Sequence, residues 1–558
     1  MSPVKNHRFW QGIALATLGA ATAGVGMFLL SGWIKDDAYI SFRYARHLAA
    51  GVGLVFNPGE RVEGYTNFLW VIIMALVHVL QGDMVFWSKA LSYVAAVASI
   101  GMLLRIERLS SGASSPPLFG LPSFFLGVST TLAVYADSGL ETTSFLFFSL
   151  LGFRSLYAGK LGRSRWAGIL ASALFLSITA LFRPEGHLVI VIAALLVVYR
   201  LETRVWTRKE AFAWILVTVA VLAPYHAWRI AYFGDIFPNT YYVKAGGGLS
   251  AFTVGVRYVW SLMKFNLTGP LLVLAVFGLL NQRVPFEFRL VSGAMTFSFM
   301  GYLLYIGTDE MNYYRLYLVA FPHLHLLAAR GMESLEPVVK RLKWRYAPLA
   351  AVLAVMLTVG VLNGRETLDL RGLGKSMDAS KNSHAAMGRF LSQHSAPGEA
   401  VLFQDMGLTP WMAPKLNFID PIGLVDRTVA HAYKEYGYHA FLRAEIMRSK
   451  EGRERYEKLA QKMRDYFLGR QPAWVAFVAY IPPQDQEEVS RTLKKFPNDV
   501  SPLAFYITHY DHFTFELFAD PRFQEQYRFI HFYPRSSRYY LVMYERMDHV
   551  RPRSKMRS

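Results

Sequence analysis

Asp36–Trp70 reads DDAYISFRYARHLAAGVGLVFNPGERVEGYTNFLW. Two adjacent carboxylates stand just beyond a long apolar run, followed by one or two amphipathic turns and then a polar, aromatic loop. Acids at the edge of a membrane span are costly, so their presence there marks a functional end of the molecule. The preceding run, Phe9 to Trp33, is longer than a signal-peptide core and lacks a small-residue cleavage site ahead of the acids. Further apolar runs follow it, so it reads as a retained signal anchor.

Composition places the whole chain in the same class. With 558 residues, 53% hydrophobic and 15% aromatic, and a mean hydropathy of +0.23, it is too long and too apolar for one ordinary soluble domain. A net charge of +19 and a pI of 9.7 would point to nucleic acid in a soluble protein. Here the basic residues fall in short clusters between apolar runs, a pattern of membrane topology with membrane lipids as partners and no nucleic acid. The absence of cysteine excludes disulfides, thiolate metal sites and a thiol nucleophile.

Apolar runs that can cross a bilayer, ideally roughly 17 to 25 residues long, lie near 9–33, 85–104, 118–136, 139–158, 166–182, 186–199, 211–230, 266–281, 290–306, 314–332 and 346–363. The expectation is an α-helical polytopic membrane protein of about eleven spans, several of them short. Asn67 to Leu80 is ambiguous. If it crossed, Arg105 and Arg108 would face outward and every later basic loop would be inverted. If it lies at the interface, Lys5, Arg8, Arg105, Arg108, Lys160, Arg163, Arg165, Arg204, Arg208, Lys209, Arg283, Arg289 and the 340–345 cluster are all cytoplasmic, as the positive-inside rule requires. The outer face then receives Asp36, Asp37, Glu60, Glu63, Asp137, Glu141, Glu185, Asp235, Asp309 and Glu310.

From about Gly364 the apolar runs shrink to strand length, in EAVLFQD, WVAFVAYI, YRFIHFY and YYLVMYERM, with the charged helical stretch RSKEGRERYEKLAQKMRDYF between them. Residues 1–363 are therefore expected to form the membrane domain and 364–558 a soluble α/β domain on the outer side, ending in a solvated basic tail. Gly246–Gly248 carries no nucleotide-binding signature.

Six stretches occur in an order that resembles bacterial GT-C glycosyltransferases: the opening block, SGLET from Ser138, LFRPEG from Leu181, GDIFPNTYYVKAGG from Gly234, GTDEMNYYRLYLVAFP from Gly307 and IDPIGLVD from Ile419. The resemblance is to the group containing the terminal β-(1→2)-arabinofuranosyltransferases of mycobacterial arabinan. It covers most of the chain, and the opening block is the specific part. It implies a polytopic core in the cytoplasmic membrane, a periplasmic C-terminal domain, a polyprenyl-phosphate-sugar donor and a cell-envelope glycan or lipid acceptor, with no cofactor.

Sugar transfer needs a base for the acceptor hydroxyl, and Asp36 and Asp37 are the candidates, Asp36 ranking first. The competing reading is that one of them caps a helix beginning at Ala38. The departing phosphate needs cations, for which Arg315, Lys244 and Arg183 are expected, with Arg229 also on the outer side. Arg183 could instead pair with Glu185 across the break at Pro184, and Arg315 could snorkel. Glu63, Tyr65, Asn239, Tyr242 and Asp309 complete the expected substrate-binding set, with interfacial-belt roles open for Tyr241, Tyr242, Tyr313 and Tyr314. Metal ligation is not expected. His323 and His325 diverge on a helix and His226 stands apart, although Asp137, Glu141, Asp309 and Glu310 supply oxygen ligands in principle. A transporter of lipid-linked intermediates would carry polar groups across the midplane, and these spans are polar at one end only. A non-catalytic envelope assembly protein is the third class.

Overall fold

The computed structural model describes residues 3–30, 33–110, 118–158, 165–244, 248–309, 311, 313–335, 382–437, 447–482, 484–495, 507, 514–534 and 539–549. The run near 346–363, the expected boundary at 363/364, Glu310 and the basic tail from 550 lie outside them.

Fifteen helices make up the described part before residue 336: α1 Pro3–Leu29, α2 Asp36–Ala49, α3 Phe68–Val79, α4 Met84–Ser110, α5 Leu121–Gly127, α6 Thr130–Asp137, α7 Thr142–Ala158, α8 Arg165–Phe182, α9 Gly186–Glu202, α10 Arg208–Phe233, α11 Asn239–Lys244, α12 Gly248–Lys264, α13 Thr268–Leu280, α14 Phe286–Ile306 and α15 Phe321–Ser334. Their ends follow from local chemistry. Thr207 and Glu210 form a reciprocal capping box at the start of α10, and Gly234, left-handed at φ 73°, closes it. Close packing follows from small residues: a Cβ on Gly127 would sit 2.4 Å from the backbone of Gly19, so α1 and α5 meet backbone to backbone.

Among the described residues, four helices are long and apolar enough to cross a membrane unaided: His7–Leu29, Met84–Ser110, Arg165–Phe182 and Arg208–Phe233. The α12–α13 pair, bent by 87°, makes a fifth if taken as one span. Of the remaining expected spans among the described residues, 290–306 lies on the continuous 21-residue α14, and the others are shorter or broken. α7 and α9 have 17 residues each, a rise of about 26 Å. The run 118–136 is divided into α5 and α6, and 314–332 opens with a 3-10 turn before α15. α3, over the ambiguous run, has 12 residues, a rise of about 18 Å against a hydrocarbon core of about 30 Å.

Polar groups gather at the two ends of these helices. At one end Glu107 accepts from the Gly120 amide, Arg330 bonds Ser110 and Glu333, Arg200 bonds Glu287 and the Leu156 carbonyl, and Arg165 pairs with Glu210. The other end holds Lys35, Lys89, Asp137, Glu141, Arg183 and Asp309. Outward-facing Phe212, Ile215, Leu216 and Val219 on α10 are at least half exposed, as lipid contact requires.

The C-terminal part is built on a five-stranded sheet in the order β2-β1-β3-β5-β4: β1 Ala400–Leu402, β2 Asn417–Ile419, β3 Trp474–Tyr480, β4 Tyr527–Pro534 and β5 Tyr539–Arg546. β1 pairs parallel with β2 and β3, β5 antiparallel with β3 and β4. The run WVAFVAY is central and buried on both faces, which its unbroken apolar character demands. Its alternate residues serve two cores. Trp474, Ala476 and Val478 join the core that continues into the helical bundle, whereas Val475, Phe477 and Ala479 pack in a second core with residues of the helix Lys450–Gly469.

Candidate active site

α2 starts at Asp36, with Lys35 as an N-cap lacking any side-chain cap. Neither aspartate caps a helix at Ala38; both lie in the first turn, against the positive end of the helix dipole. Successive helical residues are about 100° apart, so the two side chains diverge. Asp36 faces the C-terminal part, where its carboxylate accepts the backbone N–H groups of Gly407 at 3.1 Å and Leu408 at 2.8 Å. Burial pushes this carboxyl up, opposed by His384 and reinforced by Asp405. Asp37 has no hydrogen bond or ion pair among the described residues. Its electrostatic neighbour is Tyr135, which is also within reach of Asp309 and Arg315.

The face of α2 carrying Asp36 continues through Tyr39, Arg43 and Arg46. Tyr39 and Phe42 pack on Trp411, and the Arg46 guanidinium lies 4.1 Å from that ring. Arg43, wholly buried, donates to the carbonyls of Phe56 at 2.9 Å, Pro410 at 2.5 Å and Leu416 at 2.7 Å. With no carboxylate beside it, burial pulls its guanidinium down to about 9, and neighbouring Arg46 adds to the effect. Ser41 and Tyr44 turn the other way. Ser41 bonds Asn67, whose amide donates to Glu141 at 2.8 Å, while Tyr44 bonds the Val62 carbonyl.

Glu141 leads into a buried cluster of charge. Its other oxygen accepts from Arg183 at 2.5 Å, and Arg183 makes two further bonds to Glu185, at 3.1 and 2.9 Å. The pairing across Pro184 is therefore present, and Arg183 reaches the cluster as well. The Tyr302 hydroxyl approaches Glu185 at 3.4 Å. Arg315 does not snorkel; it grips Asp309 with two nitrogens, at 2.8 and 3.1 Å. Tyr313 and Tyr314 adopt the left-handed region at φ 64° and 55°, a conformation that favours glycine, and this reversal turns Arg315 back onto Asp309. Tyr314 packs on Phe265 and Tyr258 and bonds Ser261. Burial alone would raise the Asp309 carboxyl, but Arg315, Lys244 and Arg183 together hold it below its ordinary value.

Of the expected residues, the structure gathers Arg183, Lys244, Asp309 and Arg315 around one cluster, and Tyr135 feels the charge of both Asp37 and the Asp309–Arg315 pair. The structure separates the others. Asp36 faces residues 405–408. Glu63 pairs with Arg229 at 2.7 Å, and its carbonyl accepts from the Asn239 amide, while the Asn239 side chain bonds the Gly423 carbonyl. Tyr65 packs edge-on against Tyr44 and near Phe233. Tyr242 lies over His431, 4.6 Å between centroids, with Lys434 above its ring. Glu63, Tyr65, Asn239 and Tyr242 thus belong to the joint between the first loop and residues 420–434. The physical reason for the split within the 239–244 stretch is that it folds as α11, which sends Tyr242 and Lys244 to different sides.

Among the described oxygen-ligand candidates, Asp137 meets Lys89 and the Tyr93 hydroxyl, Glu141 pairs with Arg183, and Asp309 with Arg315. His323 packs against Phe153 and His325 between Phe125 and Phe321, so these side chains do diverge, and they are held by ring contacts more than by hydrogen bonds. His226 meets His187, 3.0 Å between Nε2 atoms. Arg43, Asn67, Glu185, His384, Asp405 and Gly407 were absent from the sequence-based set. For Arg43 a signal existed: seven residues after Asp36, it repeats the same helical face.

Comparison with known proteins bears on this geometry. The family described as a domain of unknown function (DUF8728) matches residues 369–544. The terminal β-(1→2)-arabinofuranosyltransferase of Mycobacterium tuberculosis (strain ATCC 25618 / H37Rv) is 30% identical over 266 residues, 44% of this chain and 40% of that protein. The enzyme of the same name from Corynebacterium glutamicum is 29% identical over 278 residues, 43% of this chain and 38% of that protein. The chain thus spans about two fifths of the length of the curated relatives it matches. Among solved structures, ArnT from Cupriavidus metallidurans bound to undecaprenyl phosphate superposes with TM-score 0.51 and 12% identity, covering 94% of this chain and 97% of that one. The archaeal oligosaccharyltransferase AglB from Archaeoglobus fulgidus, in complex with an inhibitory peptide and a dolichol-phosphate, gives 0.50 at 11% identity, covering 89% and 71%. At such identities the likeness is one of fold.

Proposed function

Starting from the GT-C glycosyltransferase fold of this membrane chain and its sequence likeness to terminal arabinofuranosyltransferases, we propose that it transfers a sugar, arabinofuranose being the favoured one, from a polyprenyl-phosphate donor to a glycan or lipid acceptor of the cell envelope. The reaction takes place at the outer face of the cytoplasmic membrane, with about eleven spans and the C-terminal part on the same outer side. The observation that carries this reading is the buried cluster of Arg183, Arg315 and Lys244 around Asp309, with Asp37, a carboxylate that makes no hydrogen bond or ion pair among the described residues, sharing Tyr135 as an electrostatic neighbour with it.

Asp37, not Asp36, is the base in this proposal. Its carboxylate takes the proton of the acceptor hydroxyl as that oxygen attacks the anomeric carbon, and the bond to the donor phosphate breaks. The polyprenyl phosphate leaves with the electron pair. Arg315 and Lys244, with Arg183 behind them, stabilise the charge on the leaving oxygen through charge-assisted hydrogen bonds in a site shielded from water. A transporter or assembly role is less well supported, because the charged groups of the helices collect at their ends.

The test is transfer of radiolabelled sugar from polyprenyl-phosphate arabinofuranose by the solubilised full chain. A positioned base contributes roughly a hundredfold to ten-thousandfold, so Asp37→Asn should lose transfer by that factor while donor binding persists. Asp36→Asn, which keeps an acceptor oxygen for the 407–408 amides, should lose less. The reverse ranking would assign the base to Asp36; near-parental rates in both would move it to Asp309 or Glu141.

A further inference from the structure

Among the titratable side chains that the proposed reaction leaves unused are Asp36 and Asp405, both half-buried, and the buried His384. His384 lies on the helix spanning 382–394 and is buried, with Nε2 2.8 Å from an Asp405 oxygen. Asp405 follows β1 and begins the turn whose next residues, Gly407 and Leu408, donate their amides to Asp36. Both His384 and Asp405 are close enough to alter the ionisation of Asp36. Thr409 ties the turn to the His384 carbonyl at 3.1 Å. The fit leaves no room for a side chain, since a Cβ on Gly407 would stand 2.2 Å from both the backbone oxygen and a carboxylate oxygen of Asp36.

This arrangement matters because of what Asp37 lacks. With no side-chain cap at Lys35 and no hydrogen bond of its own among the described residues, Asp37 is placed only by the backbone of the first turn of α2. Two contacts fix that turn: the Lys35 amide on the Ser138 carbonyl at 3.0 Å, and the Asp36 carboxylate on the 407–408 amides. The second comes from a segment about 370 residues away along the chain.

We infer that His384, Asp405 and Gly407 are positioning residues of the transfer reaction: they clip the 405–408 turn onto the first turn of α2 and thereby aim Asp37 at the charged cluster. The inference rests on the functional reading above and adds to it a role for the domain of unknown function matched at 369–544. The segment is then part of the active site through the backbone it holds, without touching substrate.

The experiment measures kcat and donor KM for the full chain in detergent, with polyprenyl-phosphate arabinofuranose as donor, together with thermal midpoints. A misplacement near 1 Å costs on the order of a hundredfold in rate, so Gly407→Ala and His384→Ala should lower kcat by about that factor with donor KM unchanged. Asp405→Asn still accepts a hydrogen bond from the His384 ring and should keep most of the rate, whereas Asp405→Ala should not. Unchanged kcat in Gly407→Ala and His384→Ala, with an active parental chain, overturns the inference alone. A fall in kcat that tracks the thermal midpoint across the four variants makes the contact a scaffold and also overturns it. A parental chain inactive toward polyprenyl-phosphate pentoses and hexoses overturns the functional reading, and this inference with it.

Discussion

Asp309 and Arg315 show how much chemistry one pair can carry. Six residues apart, they meet through two bonds because Tyr313 and Tyr314 reverse the chain between them. Burial opposes the Asp309 charge and the surrounding cations outweigh it, so the folded-state value lies below the ordinary 3.8. The sign follows directly: the folded state binds the proton less readily than the unfolded one. The pair's stabilisation is therefore complete above 3.8 and lost as pH falls through the lower folded value. Thermal midpoints measured on acidification should decline below that point in the parental chain and less steeply in Asp309→Asn. Arg315→Ala should weaken donor binding as well as rate; charge-assisted bonds are worth about 1.5–3 kcal/mol, roughly tenfold or more in donor KM. Arg315→Lys should recover only part, because an ammonium cannot reproduce the two-pronged contact. Donor titrations of turnover decide both.

α2 is the element on which the site depends. Its period can be read in sequence: Asp36, Tyr39, Arg43 and Arg46 share one face, and Asp37, Ser41 and Tyr44 lie on another. What each face meets could not be read, because the partners are Trp411 and the carbonyls of Pro410 and Leu416, far along the chain. Arg43 is the firmest of these links, a buried cation satisfied by backbone oxygens alone. Arg43→Met fills similar volume but leaves those carbonyls dry, at about 1–3 kcal/mol for each unsatisfied group. The full chain should lose several degrees of thermal midpoint, and protease should nick the 407–416 segment sooner. An unchanged midpoint would mean that water replaces the guanidinium.

At the scale of the whole molecule, the helix ends divide into two polar layers, with Glu107, Arg200, Arg330 and Arg165 in one and Asp137, Glu141, Arg183 and Asp309 in the other. The basic loops sort onto the first layer, as topology from charge bias requires. Reporter fusions at Gly82, Gly234 and Gly398 should therefore read the outer side and one at Arg204 the cytoplasm. Gly82 reading the cytoplasm and Arg204 the outer side would require α3 to cross and would invert the scheme. The sheet is coupled to this bundle, since Trp474, Ala476 and Val478 share its core.

Composition and the order of the motifs determined the membrane class, the GT-C likeness and the strand-length runs of the C-terminal part, because hydropathy, charge bias and motif content are local properties of the chain. Tertiary structure alone decided which aspartate is held by distant backbone amides. That choice depends on the start of α2 at Asp36 and on the amides of Gly407 and Leu408, and no local pattern records a hydrogen bond spanning about 370 residues. It also set Glu63 against Arg229, Tyr65 against Tyr44 and Phe233, Asn239 against Gly423 and Tyr242 against His431. Motifs bring residues near one another in sequence, whereas helical phase and the packing of distant segments set where each side chain ends.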